Sequence, residues 1–394
     1  MRLTVVGMLS GTSHDAIDAA VAELSLRDDT VMLAPRGLHS VALSEPMRAR
    51  IAACLPPART TGEEVCRLDT ELGQLCGRAA AEAIAAYAPA GADLVVSHGQ
   101  TIYHWVEGGR CLGTLQIGAP AWIAEATGTT VVSDLRSRDI ARGGQGAPLT
   151  SVLDALLILG EDGAAGAPPR GALNLGGIAN ITVRGAAGIV AYDIGPAGAL
   201  IDAAVSELTG GAERMDTGGA RAARGTVDPE ALVRLLAEGY YRLPAPKSTG
   251  KELFHRDYVR DRLGDRAPDG DDLLATLTEL TARLVADACA AHRLQELVVS
   301  GGGVRNPALM TRIGALAAPV RVRTVEELGL PSQAKEAYLF ALLGFLTVHG
   351  LQGTIASATG AGRGSILGSF TPGAGPLVLP EPWPTPVRRL EVVA

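Results

Sequence analysis

Five segments carry residue types whose spacing could do chemistry. The first is Ser10-Gly11-Thr12-Ser13-His14-Asp15-Ala16-Ile17-Asp18. A glycine lets backbone approach a phosphate closely, and consecutive amides in a tight turn form an anion-binding concavity. Thr12 and Ser13 add hydroxyl donors, and Asp15 and Asp18 could hold a metal through water. The Gly-x-x-x-x-Gly-Lys-Ser/Thr spacing of a P-loop is missing here. Composition alone does not separate a phosphate grip from a plain surface hairpin.

The second segment is Tyr192-Asp193-Ile194-Gly195-Pro196. It sets a carboxylate at the end of an apolar strand, where α/β proteins place reactive groups. The same Asp would also suit a helix cap or a turn. The third is Ser300-Gly301-Gly302-Gly303 through Asn306-Pro307. Three glycines between a strand and a helix leave room for a base or a ribose, or make a flexible turn. The fourth is Arg136-Ser137-Arg138-Asp139 with Gly143 to Pro148. Paired arginines suit a carboxylate or phosphate bidentately, or form a surface ion-pair cluster. The fifth, Pro246 to Glu252, is a polar loop that could line a cleft or cap a helix. His98 and His104 have no carboxylate at metal spacing and fit structural roles, as does His14, so no metal site of protein ligands is expected.

These groups need elements to hold them. Leu3–Met8 and Ile17–Leu24 are β-rich runs joined by the first polar turn, which predicts a hairpin. Residues 31–43 add a strand, 62–88 a long helix, Leu94–Ser97 a short buried strand, 119–128 a helix and Thr130–Ser133 another strand. A Gly-, Ala- and Pro-rich stretch at 159–171 reads as a linker. The pattern then restarts with Leu173–Leu175, a Gly176-Gly177 turn and a returning strand over Ala179–Val183 that carries Asn180. A strand at 189–193 follows, then helices at 198–208, 228–237 and 271–292. Leu297–Ser300 is a strand, and helices cover Pro307–Leu316 and 334–349. The Pro-rich tail from Pro372 is expected to be an extended strap. The restart divides the chain into domains at 1–160 and 161–394, each opening on a Gly-turned hairpin.

Bulk properties bound the function. At 394 residues the chain suits two domains, and 47% apolar with 20% charged residues is a globular balance. A net charge of −7 with no Lys/Arg-rich run argues against a nucleic-acid surface. Five cysteines, with no Cys-x-x-Cys, suit reduced thiols in a cytoplasmic protein. The apolar start runs straight into the first turn, so a buried strand is expected there rather than a signal peptide, and no membrane span is expected.

Along nearly its whole length, from about Val6 to about Phe370, the sequence resembles the anhydro-N-acetylmuramic acid kinase family. The motifs run in order: Gly7 to Ser13 with Asp18; Ser97-His98-Gly99-Gln100-Thr101; Thr114 to Gly118; and Asp134 through Gly143 to Leu149. Leu173 to Thr182, Pro246 to Glu252, Gly301 to Leu309, and Ala334-Lys335-Glu336-Ala337 follow. The resemblance implies a two-domain actin-like (ribonuclease H-like) α/β fold, with mixed five-stranded sheets and an interdomain ATP cleft. It implies ATP with Mg²⁺, a 1,6-anhydro-N-acetylmuramic acid substrate, and a homodimer. Asp193 would be the base. Gly11, Thr12, Ser13, His14, Asp15, Ala16, Ile17 and Asp18 would hold ATP, together with Gly176, Gly177, Asn180, Gly301, Gly302, Gly303 and Asn306. Gln100, Arg138 and Glu336 would grip the sugar. Two segments depart from the family pattern. Its Asp-Thr-Gly-Pro-Gly-Asn is here Asp193-Ile194-Gly195-Pro196-Ala197-Gly198, and its Asp-Gly-Ile-Asp is Asp15-Ala16-Ile17-Asp18. The first leaves room for another 1,6-anhydro sugar such as levoglucosan. A nucleotide-binding sensor without activity is the alternative outside enzymes.

Overall fold

The computed structural model describes residues 1–394 apart from 12, 13, 161–167, 187, 246, 251, 252 and 256. The chain begins β1 (Arg2–Ser10), β2 (Ala16–Arg27), β3 (Thr30–Ala42), α1 (Glu45–Cys54), α2 (Gly62–Tyr87) and β4 (Leu94–Ser97). It goes on through β5 (Gln100–Glu107), β6 (Arg110–Ile117), α3 (Pro120–Thr127), β7 (Val131–Ser133), α4 (Ser137–Ile140) and α5 (Thr150–Asp154). Next come β8 (Arg170–Leu175), β9 (Ile178–Gly185), β10 (Gly188–Pro196), α6 (Gly198–Leu208), α7 (Pro229–Leu236) and α8 (Tyr258–Leu263). Then α9 (Gly270–Ala291), β11 (Glu296–Ser300), α10 (Pro307–Ala317) and β12 (Arg321–Thr324) precede α11 (Lys335–Val348), α12 (Ala356–Thr359), β13 (Ser369–Thr371) and β14 (Arg389–Val392).

Two compact units result, Met1–Glu161 with Ala334–Ala394, and Asp162–Gln333. In the first, a seven-stranded sheet has the order β13-β7-β4-β1-β2-β3-β14. β1, β2 and β3 form an antiparallel meander, while β4 and then β7 add in parallel to β1. The second unit has a five-stranded sheet, β10-β9-β8-β11-β12. Its meander β8-β9-β10 is antiparallel, and β11 and β12 add in parallel to β8. Each unit therefore carries the same five-strand order and sense, the actin-like arrangement. The first sheet exceeds the expected five strands because β13 pairs with β7 and β14 with β3.

Burial on both faces explains the apolar runs. Val6 and Met8 are fully buried in one core cluster with Leu68, Leu72, Cys76 and Ala79 of α2. Those α2 residues recur at helical spacing, so one stripe of the helix covers the sheet. Thr61 caps it by accepting the Glu64 N–H at 3.1 Å. Gly7 points to the opposite face, because side chains alternate along a strand. A Cβ there would overlap the Ala337 carbonyl and the Ala341 amide of α11. Without a Cβ, α11 lies directly on β1, and thirteen of its fourteen residues are buried. This packing corrects the expected boundary. Residues 334–394 join the first unit rather than the second, since α11 packs on β1, β2 and β4 and the tail supplies two strands to the same sheet.

The second unit is built alike. Leu173, Leu175, Ile181 and Val183 of its meander pack with Leu277, Leu280 and Val285 of α9. Among the described residues, no helix is long and apolar enough to cross a membrane.

Candidate active site

Asp193 lies near the end of β10, where the register with β9 shifts between Asp193 and Gly195. The register sets it opposite Asn180, which pairs with Asn174, which pairs with Ser300. A polar row thus crosses β10, β9, β8 and β11 near the ends that carry the Gly176-Gly177 turn and Gly301. Cross-strand partners share a face of the sheet, so the row lies on one side.

The Asp193 side chain is held by a loop far along the chain. Its Oδ2 accepts the Ser248 hydroxyl and the Thr249 N–H, each at 3.0 Å. Its backbone is clamped as well. The Asp193 N–H donates to the Lys247 carbonyl at 3.0 Å, and the Asp193 carbonyl accepts the Tyr240 hydroxyl at 2.7 Å. Lys247 closes the circuit, because its Nζ donates to the Tyr240 and Tyr241 carbonyls at 3.1 and 3.0 Å and sits over the Tyr240 ring. Burial lowers the Lys247 pKa. Ile194, at the position of the family's Thr, is buried in the core. In this chain Ser248 and Thr249 give the carboxylate its donors. The sequence pointed to their loop but not to this contact.

The Gly301–Gly303 junction divides by role. Gly301 has φ +90°, and a Cβ on it would crowd Asn174 and the Leu175 carbonyl. A Cβ on Gly303 would crowd Leu175, whereas at Gly302 it would meet nothing within 4 Å. Two of the three glycines thus serve backbone packing on β8, and Gly302 opens on space. Asn306 caps α10, its Oδ1 accepting the Leu309 N–H at 3.0 Å. The Gly176 and Gly177 carbonyls accept N–H groups of Ala197, Gly198 and Ala199 at the start of α6.

In the first unit the turn between β1 and β2 includes Gly11, His14 and Asp15, while Thr12 and Ser13 lie outside the described residues. The His14 N–H donates to the Gly11 carbonyl at 2.9 Å, with His14 at φ +41°. Asp15 pairs with Arg48 of α1 at 2.7 Å. Ala16, Ile17 and Asp18 already belong to β2. Ile17 is fully buried, so its side chain is core and only its backbone can face a ligand. Asp18 accepts the Ser40 hydroxyl at 2.5 Å.

Beside this turn lies a cavity of about 260 Å³, lined among others by Ser10, Gly11, Gln100, Arg136 and Glu336. Gln100 is buried, its Oε1 accepting the Ser10 hydroxyl at 2.7 Å and its Nε2 donating to the Thr101 carbonyl at 3.0 Å. Glu336 is reached by solvent yet surrounded by protein. That desolvation raises its pKa, Lys335 and Arg136 oppose the rise, and Asp18 adds to it. Arg138, on α4, is exposed and lies outside the cavity lining. Arg136 lines it instead, with Nε donating to His98 Nε2 at 2.8 Å and Nη1 to the Gly146 carbonyl at 2.6 Å. Among the described residues, no three His, Cys, Asp or Glu side chains converge as metal ligands.

Known proteins resemble this chain along nearly its whole length. A model of the family described as anhydro-N-acetylmuramic acid kinase matches residues 3–373. A protein of that name from Streptomyces avermitilis is 56% identical over 389 residues, covering 98% of this chain and 99% of the relative. Its counterpart from Streptomyces coelicolor is 54% identical, covering 99% of each. One from Rhodococcus erythropolis is 52% identical, covering 94% of this chain and 95% of the relative. With a matched family model over nearly all its length and relatives this similar end to end, the chain belongs to the anhydro-N-acetylmuramic acid kinase family.

Proposed function

We propose that this chain uses ATP to open and phosphorylate 1,6-anhydro-N-acetylmuramic acid, giving N-acetylmuramic acid 6-phosphate and ADP. Water bonds to the anomeric carbon, the C1–O6 bond breaks, and O6 takes the γ-phosphoryl group. Asp193 receives the proton of the attacking water. The observation that carries this role is the double donation from Ser248 and Thr249 to Oδ2, which fixes the direction of the carboxylate. A base must be aimed at the proton it removes.

The Gly11 turn faces the phosphates through its backbone, and Gly302 provides the open backbone beside the nucleotide. Ser10, Gln100 and Glu336 face the sugar. Mg²⁺ would neutralise phosphate charge, as phosphoryl transfer requires. Asp18, in β2 just after the turn, is the carboxylate that would meet such an ion through its waters. Mg²⁺ usually keeps several waters and takes one or two carboxylates together with phosphates. The five cysteines are unbridged, in keeping with a reducing cytoplasm. Family membership supports a homodimer, which light scattering on the purified chain checks.

The test is ADP release from ATP, Mg²⁺ and the anhydro sugar. Asp193→Asn is expected to lower turnover by about 10²- to 10⁴-fold, the usual worth of a positioned base, while an ATP analogue still binds. Near-normal turnover in that variant would refute the assignment.

A further inference from the structure

Glu238 is a buried carboxylate that the reaction proposed above does not use. It follows α7 and stands at the head of a 3₁₀ turn over Gly239–Arg242. Its Oε1 accepts the Tyr240 N–H at 3.2 Å. Its Oε2 accepts the Tyr258 hydroxyl at 3.2 Å and pairs with the Arg262 guanidinium, both from α8. One oxygen is thus anchored to α8 while the other holds Tyr240.

Tyr240 is where this anchor meets the site. Its hydroxyl donates to the Asp193 carbonyl at 2.7 Å. Its own carbonyl accepts from Lys247 Nζ at 3.1 Å, and the same ammonium sits over its ring, 4.6 Å from the centroid. The Lys247 carbonyl in turn accepts the Asp193 N–H, and the next two residues, Ser248 and Thr249, donate to Asp193 Oδ2. Two routes therefore lead from Tyr240 to Asp193, one directly to its backbone and one through Lys247 to its carboxylate. The Tyr240 ring packs edge-on against buried Phe254, 6.1 Å between centroids. Apolar burial is non-directional, so it does not set where the Tyr240 hydroxyl and carbonyl point. Hydrogen bonds do, and those with a charged partner are roughly twice as strong as neutral ones.

Building on the base assignment proposed above, we infer that Glu238 is a positioning residue for the reaction, holding Tyr240 so that Tyr240 and Lys247 aim the Asp193 carboxylate. Neither Glu238 nor Tyr240 takes a proton in this role. Each acts only through Asp193.

The test measures kcat and KM for ADP release from ATP, Mg²⁺ and 1,6-anhydro-N-acetylmuramic acid in two backgrounds, wild type and Asp193→Asn. Tyr240→Phe keeps the ring and removes the hydroxyl. Glu238→Gln keeps the shape and loses the charge that Arg262 holds. In the wild-type background each is expected to lower kcat about 3- to 10-fold, the worth of one hydrogen bond, with KM for ATP and for the sugar within about twofold. In Asp193→Asn no base remains to be aimed, so neither substitution should lower the residual turnover by more than about twofold. Losses that persist in full in the Asp193→Asn background would mark a merely structural role and overturn the proposal. Unchanged kcat in Tyr240→Phe, or a raised KM in place of a lowered kcat, would overturn it too. If Glu238→Gln does not fold, Glu238→Asp gives the same comparison, because it keeps the charge but withdraws the carboxylate by one methylene. Near-normal turnover in Asp193→Asn alone would refute the base assignment, and wild-type protein that releases no ADP would refute the kinase function. Either result takes this proposal with it, whereas failure of the positioning role leaves both standing.

Discussion

Removing the ammonium of Lys335 should destabilise the first unit strongly. Lys335 Nζ lies 2.6 Å from Asp154 Oδ1, and each side chain is only 6% exposed. The pair joins α5 to the first residue of α11, one position before Glu336. Breaking a buried ion pair from one side costs about 3–5 kcal/mol. Lys335→Met should therefore lower unfolding free energy by that amount. Replacing both partners removes both buried charges, so Asp154→Leu with Lys335→Met should recover about 2–3 kcal/mol of the loss. Urea unfolding followed by tryptophan fluorescence is the natural assay, because Trp105, Trp122 and Trp383 all lie in the first unit. A single variant within about 1 kcal/mol of wild type would refute the estimate drawn from the buried-pair cost. So would a double variant no more stable than the single one.

Three further outcomes are expected. His98 has a folded pKa of about 3 against an ordinary 6.5, so its contribution is complete above pH 6.5 and falls as pH drops. At about 1.36 kcal/mol per pH unit, acidification to pH 5 should remove roughly 2 kcal/mol that His98→Gln does not lose. Equal urea midpoint shifts in both proteins would contradict this. Gly7→Ala, forced against the α11 backbone, should cost about 3 kcal/mol in the same assay, and a loss below about 1 kcal/mol would show that α11 can move aside. Lys247→Met, which frees the clamp on Asp193, should lower kcat about tenfold or more with little change in the KM for ATP, since small misplacements of a catalytic group are costly. Unchanged kcat would remove Lys247 from any positioning role.

Local periodicity made much of the scaffold legible. The β1–β2 and β8–β9 hairpins, α2, α9, α10 and α11 show in the sequence because each buries a stripe or alternates along its own length. The β5–β6 hairpin, β12, β13 and β14 did not show. They are short or half-exposed, and β13 and β14 are fixed by pairing with β7 and β3 far along the chain. The same non-local pairing returned residues 334–394 to the first unit.

The site divides in the same way. Sequence alone determined that a carboxylate lies at the end of an apolar strand at Asp193, and that three glycines stand between a strand and a helix, with what they face left open. The tertiary structure decided what holds that carboxylate, since Ser248 and Thr249 come 55 and 56 residues later. It also set two neighbouring arginines of equal chemistry in different surroundings. Arg136 falls beside His98 and the cavity, while Arg138, two residues on, projects into solvent. Residue type and order fix which chemistry a chain can carry. Only packing fixes which copy of a side chain is desolvated and aimed.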